Sequence, residues 1–202
     1  MSEWITPVVL EGRIVRLEPL TTAHAPDLFN AADPELFRFT PQMPQEWSIT
    51  GFEREIAKVA LLPDVVAFAI ILKATNKAIG RTTYMDIRAP HRGVEIGRTW
   101  IGRAHHGTRV NPEIKLLMLQ HAFERLTPTA IRVQLCTGGT NLHSQRAIAK
   151  LGAVREGVLR HTRIVPSGPE PDSPHMVRDT VFFSILADEW PAVKQRLLAR
   201  LL

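Results

Sequence analysis

One stretch, Val94–Leu126 (VEIGRTWIGRAHHGTRVNPEIKLLMLQHAFERL), limits the architectures open to this chain more than any other. It begins as an extended, largely apolar segment, Val94–Ile101, turns through a loop with Gly102 and Gly107, and continues at helical spacing. In the helical part Ile114, Leu117, Met118, Phe123 and Leu126 share one face. Asn111 suits a helix cap, Pro112 the first helical position, and Glu113 complements the dipole, so a helix is expected from Pro112 to Leu126. The first N–H groups of a helix have no partner inside it and carry partial positive charge. A strand that feeds a loop and then a helix N-terminus is therefore a place to hold an anion. Ile131–Cys136 returns as a strand, and strand–helix–strand implies a parallel pair joined by a right-handed crossover.

The segments on either side extend this unit. Arg13–Leu17 alternates as a short edge strand, and Thr21-Thr22 caps a helix that runs to Asn30. Ser48 caps a second helix with Phe52, Ile56 and Val59 on its inner face, ended by Pro63. Val65–Leu72 is short, β-branched and apolar, as in a buried strand, and Ala78–Ile87 is its hairpin partner. With Val94–Ile101 these form an antiparallel meander. Asn141 caps a short helix, His143–Leu151, closed by Gly152. Val154–Ile164 and Val177–Ile185 form a last strand pair with the proline-rich link Pro166–Pro174 at its tip, and Asp188–Leu202 is a terminal helix. The expected class is α+β, with a mixed, mostly antiparallel sheet flanked by helices and one domain over residues 1–202.

Composition removes several function classes. At 45% hydrophobic and 22% charged residues, 202 residues can enclose one sizeable core. The single cysteine, Cys136, rules out an internal disulfide framework and fits a reducing, cytoplasmic setting. No apolar run approaches the roughly 20 residues that cross a bilayer, so no membrane association is expected. The net charge of +5 favours anionic ligands, but the cations are scattered and not interleaved with aromatics, which argues against nucleic acid as the partner. The eight histidines have no metal-ligand spacing and no metal is expected. A G-x-S-x-G elbow is also missing, which leaves an esterase triad unsupported.

Three constellations remain. The loop Gly102–Arg109 offers small residues, with Arg103, His105, His106 and Arg109 as added charge. It is neither a Walker loop nor a dinucleotide fingerprint. Asn141 and Ser144 stand three apart at a helix start and can face the same way. Glu95 places a carboxylate in an apolar strand, where it must face solvent or a cleft.

Leu10–Leu20 (LEGRIVRLEPL), Val94–Gly102, Gly107–Lys115, Asn141–Gly157 (NLHSQRAIAKLGAVREG) and Arg178–Leu186, in this order, resemble the GNAT superfamily of acetyl-CoA-dependent N-acetyltransferases, in particular its RimJ/RimL-type branch of ribosomal-protein-alanine N-acetyltransferases. The resemblance implies a GNAT fold whose sheet splays in the middle around acetyl-CoA. It implies that the strand ending at Ile101 faces the pantetheine arm. Arg103, His106, Gly107, Thr108, Arg109, Val110 and Asn111 would then cradle the pyrophosphate. Asn141 would bind near the thioester, and Ser144 would protonate the leaving thiolate. Arg109 stands where the family carries a small residue. Glu95 is the candidate general base. The expected reaction is direct acetyl transfer in a ternary complex to a small-molecule or peptide amine, including a protein N-terminus, with CoA as product. Family members often pair as homodimers. The alternative is a non-catalytic acyl-CoA-binding or ribosome-associated module.

Overall fold

The computed structural model describes residues 4–38, 43–167 and 173–202. One eight-stranded sheet runs through the chain. Its strands are β1 (Leu10–Glu11), β2 (Val15–Pro19), β3 (Val66–Leu72), β4 (Lys77–Arg88), β5 (Gly93–Ile101), β6 (Arg132–Gly138), β7 (Val154–Pro166) and β8 (His175–Leu186). Their spatial order is β1-β2-β3-β4-β5-β6-β8-β7. Every neighbouring pair is antiparallel except β5 with β6. That exception follows from the helical crossover between them, as the strand–helix–strand pattern predicts.

The helices are α1 (Ala25–Ala31), α2 (Ile49–Ala60), α3 (Val110–Gln120), α4 (Leu142–Ala149) and α5 (Trp190–Ala199). They cover both faces of the sheet. On one face Ile114, Met118 and Leu119 of α3, Ile148 of α4 and Val193 and Leu197 of α5 pack on Val94, Ile96, Val133 and Leu135. On the other, α1 and α2 set Leu28, Phe52 and Ile56 against Ala69, Ile71 and Trp100. Aromatic contacts reinforce this second core, with Phe37 and Trp100 centroids 5.4 Å apart. An irregularity in β5 explains the division, because between Gly97 and Trp100 the strand carries one residue more than β4 opposite it and the alternation changes side. Val94 and Ile96 point to the α3 side, and Trp100 to the α2 side.

Ser48 caps α2 as its sequence position suggests, its Oγ accepting from the Gly51 N–H at 3.0 Å. The start of α3 differs from expectation. The helix opens at Val110 with Arg109 at the cap position, ahead of Asn111-Pro112. Thr108 Oγ1 meets the Val110 N–H at 3.3 Å, which supplies the capping acceptor earlier than Asn111 could. The far end also departs from a plain α-helix: His121–Arg125 continue α3 as a π-turn. Part of the proline-rich link between β7 and β8, and residues 39–42, lie outside the described residues. No helix among the described residues is long and apolar enough to cross a membrane.

Candidate active site

The parallel contact of β5 with β6 is short. It pairs Gly93, Val94 and Glu95 with Arg132, Val133 and Gln134 and then stops. Beyond Glu95, β5 stays on β4, with Gly97 opposite Thr83 and Trp100 opposite Arg81. β6 stays on β8, with Cys136 opposite Phe182 and Gly138 opposite Thr180. The sheet therefore opens into a wedge whose apex is Glu95. The inner edges of β5 and β6 are left without their shared ladder, so their backbone groups can bond a ligand laid between them.

A helix N-terminus flanks each side of the mouth, because α3 follows β5 and α4 follows β6. Such a crevice beyond the carboxyl ends of two parallel strands is where open sheets of this kind bind ligands. On the β5 side, Ile101 ends the strand and Arg103–His105 form a 3-10 turn. Gly107 has φ +73°, a left-handed backbone, and a Cβ built there would meet no atom within 4 Å. The loop is braced from within by Thr108 Oγ1 donating to His105 O at 2.7 Å and by a His106 Nε2 contact to Ile101 O at 2.8 Å.

Both arginines of the loop turn elsewhere. Arg103 grips Asp33 through Nε at 2.5 Å and Nη2 at 3.0 Å, and that pairing holds the Asp33 carboxyl below its ordinary range. Arg109 Nη2 donates to Leu202 O at 2.6 Å. The side chain that replaces a small family residue thus leaves the concavity clear. Gly107, Thr108 and the first turn of α3 at Val110 and Asn111 line this concavity, with the free strand edge of β5 beside it. On the opposite side, Asn141 Oδ1 accepts the Ser144 N–H at 3.0 Å as the cap of α4. Ser144 is half-buried, and its hydroxyl has no partner among the described residues. Gln145 Nε2 donates to Gly138 O and Gly139 O, which pins the loop that leads into α4.

At the apex, Glu95 is 5% exposed. Its Oε2 accepts from Gln134 Nε2 at 2.9 Å and faces Cys136 Sγ at 3.4 Å. Burial and the Glu95 carboxylate push the Cys136 thiol up, so it stays protonated. A Cβ on Gly97 would lie 2.7 Å from Met85 Sδ and 3.0 Å from Glu95 Oε1, so the carboxylate leans over a residue without a side chain. Tyr84, the sole tyrosine, lies fully buried with its hydroxyl on the Met118 carbonyl, away from solvent.

Lys115 was not singled out by pattern, yet it lies 6% exposed beneath the β5 wall, its Nζ donating to Thr99 Oγ1 at 2.8 Å. Burial lowers its pKa from the ordinary lysine value to about 7. The signal was present in the spacing: Lys115 precedes Leu119 by one helical turn on the inner face of α3.

A model of the acetyltransferase (GNAT) domain matches residues 15–154. The chain belongs to the GNAT family of acetyltransferases, and it is an enzyme of that class. A protein from T. thermophilus, named only as an acetyltransferase, is 39% identical over 98% of this chain and all of its own, with a TM-score of 0.87. A GCN5-related N-acetyltransferase from Brucella melitensis is 30% identical over 97% of this chain and 86% of its own, with a TM-score of 0.87. Mycobacterium smegmatis RimJ, solved with CoA-disulfide, shares the fold at 20% identity and a TM-score of 0.75, covering 98% of this chain and 95% of its own. No curated protein matches the sequence.

Proposed function

We propose that this single-domain chain transfers the acetyl group of acetyl-CoA to a primary amine by direct attack in a ternary complex, in the manner of the RimJ/RimL-type branch. The observation that carries this is the wedge between β5 and β6, with a buried carboxylate at its apex and a helix N-terminus on each side of its mouth. Support for the branch comes from the sequence motifs and from the fold shared with RimJ. The single cysteine supports a cytoplasmic setting, and the family's habit of pairing supports a homodimer.

The roles divide as follows. The inner edge of β5 as far as Ile101 lines the pantetheine arm, and Gly107, Thr108, Val110 and Asn111 hold the pyrophosphate, with His106 bracing their loop. Asn141 orients the thioester end by setting the first turn of α4. The amine nitrogen forms a bond to the acetyl carbon, the carbon–sulfur bond breaks, the nitrogen's proton passes to Glu95, and the sulfur takes a proton from Ser144. Proton exchange with water restores both side chains. An α-amine has a pKa of about 7.7–8, so a carboxylate is base enough for it. Holding amine and thioester together supplies most of the acceleration.

The test is release of free CoA from acetyl-CoA in the presence of an amine panel. Amine-dependent release is expected. Tight acetyl-CoA binding with no release for any amine would favour a non-catalytic acyl-CoA module instead.

A further inference from the structure

The free edge of β5 is not that of a regular strand. Gly97 pairs with Thr83 and Trp100 with Arg81, so Arg98 and Thr99 together face Thr82. This is a β-bulge, which bends a strand and re-aims its groups. Arg98 has a φ of +49°, a left-handed backbone that costs free energy in a residue with a side chain. The bulge lies between Glu95 at the apex and Ile101 at the mouth, where β5 has no ladder to β6. Its position decides which backbone groups that edge shows to the wedge, since a shift of one residue exchanges the groups on the two edges of a strand.

A run of side-chain hydrogen bonds pins the bulge to α3. Lys115 Nζ donates to Thr99 Oγ1 at 2.8 Å, Thr99 Oγ1 meets Thr82 Oγ1 at 2.7 Å, and Thr82 Oγ1 donates to Met118 Sδ at 3.3 Å. The Thr82 proton is committed to sulfur, so Thr99 donates to Thr82 and receives from the amine. The bonds thus leave α3 at Lys115, cross the bulge and β4, and return to α3 at Met118. Lys115 and Thr82 are both buried. Among the described residues Lys115 has no other hydrogen bond and no carboxylate. A buried amine held by one hydroxyl costs free energy that an apolar side chain in its place would not, and Ile114 and Met118 fill the adjoining inward positions of α3. Two costly features, the left-handed Arg98 and the sparsely bonded Lys115, therefore meet at one point of the β5 wall. Such breaches of folding rules collect at functional positions. Lys115 also stands one helical turn from Asn111 on the same face of α3, which puts it one turn inward of the proposed pyrophosphate cradle.

Resting on the acetyl-transfer reading above, we propose that Lys115 is a positioning residue for the pantetheine arm of acetyl-CoA: through Thr99 it fixes the β5 bulge at Arg98 and Thr99, and with it the backbone groups that the arm meets. Amine and hydroxyl act as one unit, because the lysine reaches the bulge only through Thr99. The arrangement trades stability for binding. The substitution that relieves the buried amine loosens the wall that holds the arm.

Calorimetry gives the dissociation constants of acetyl-CoA and of the phosphoadenosine diphosphate half of CoA, which lacks the arm. They are measured for the wild type, Lys115→Met, Thr99→Val and Thr99→Ser, with Tm from thermal melts. Lys115→Met and Thr99→Val should each weaken acetyl-CoA about tenfold, the scale of one buried hydrogen bond, and leave the nucleotide half unchanged. Lys115→Met should do so at a raised Tm, which a general loosening of the fold would not produce. Thr99→Ser keeps the hydroxyl and should match the wild type. Lys115→Met and Thr99→Val combined should lose no more than either alone, because both break the same unit. Unchanged acetyl-CoA affinity in either single variant, additive losses in the pair, or equal weakening of the nucleotide half would overturn this proposal while leaving the acetyl-transfer reading intact. Absence of acetyl-CoA binding in the wild type would overturn both.

Discussion

At the residue scale, two buried charges show opposite solutions to the same cost. Glu113 of α3 is 3% exposed, and its carboxylate accepts the backbone N–H groups of Arg13, Ile14 and Val15 at 2.7–2.9 Å. It ties the β1–β2 turn to the helix, beyond any service to the helix dipole. Glu113→Ala strands those donors and should cost about 2–4 kcal/mol, read as a lower denaturation midpoint at unchanged slope. Lys115 has a hydroxyl for company and no carboxylate. Its pKa falls to about 7 because burial disfavours the ammonium. Between pH 7 and about 10.5 the unfolded chain holds a proton that the folded chain has released, so stability from this group rises with pH across that window. Lys115→Met should therefore raise Tm at pH 7 by at least about 2–4 °C, and the gain should shrink as the pH approaches 10. A constant gain would contradict a neutral buried amine. Glu156 has the reverse sign. Hydrogen bonds from Arg132, with the Ser184 hydroxyl added, hold it down at about 2. Its contribution is present above the ordinary glutamate range and disappears as pH falls toward 2, and its partial exposure keeps it to about 1 kcal/mol or less.

At the element scale, β5 and α3 together carry the proposed cofactor site. Gly107 has room above it and a left-handed backbone, so Gly107→Val adds strain and fills the cradle at once. Acetyl-CoA affinity should fall by about tenfold or more in calorimetry while the far-UV spectrum is unchanged. For the chemistry, Ser144→Ala should lower kcat about tenfold or more with little change in acetyl-CoA affinity. An unaltered kcat would remove Ser144 from proton delivery. Glu95→Gln should abolish the acidic limb of the pH–rate profile, and a limb that stays in place would exclude Glu95 as the base. These elements were largely legible beforehand. The apolar run of β3, the Ser48 cap and the strand–loop–helix unit rest on local periodicity and capping, which a sequence displays. The remainder depends on distant contacts. Nothing near Arg109 announces that its guanidinium will leave for Leu202, or that Thr108 will cap α3 first. The insertion of β8 between β6 and β7 is set by pairing partners, and the turn of Arg98 by an irregularity against β4. Glu95 could be assigned to a cleft or to solvent from its strand, and only the divergence of β5 from β6 puts it at an apex.

At the scale of the whole molecule, the sheet is two antiparallel halves joined by three residue pairs. α3, α4 and α5 bridge the halves on one face, burying a continuous core. The other face is left to α1 and α2 on one half only, which gives an amine an approach to Glu95 from the side opposite α3. In the proposed reaction the cofactor and the acceptor enter the wedge from different directions, as direct transfer requires. A cleft of about 700 Å³ lies elsewhere, between Leu116 and Leu117 of α3 and Leu198 of α5, and has no part in this scheme. The central claim is that the wedge binds acetyl-CoA, and calorimetric titration tests it most directly. One site per chain with a dissociation constant below about 1 mM, weakened by Gly107→Val, is the predicted result. No heat of binding up to millimolar acetyl-CoA, or binding indifferent to that substitution, would contradict it.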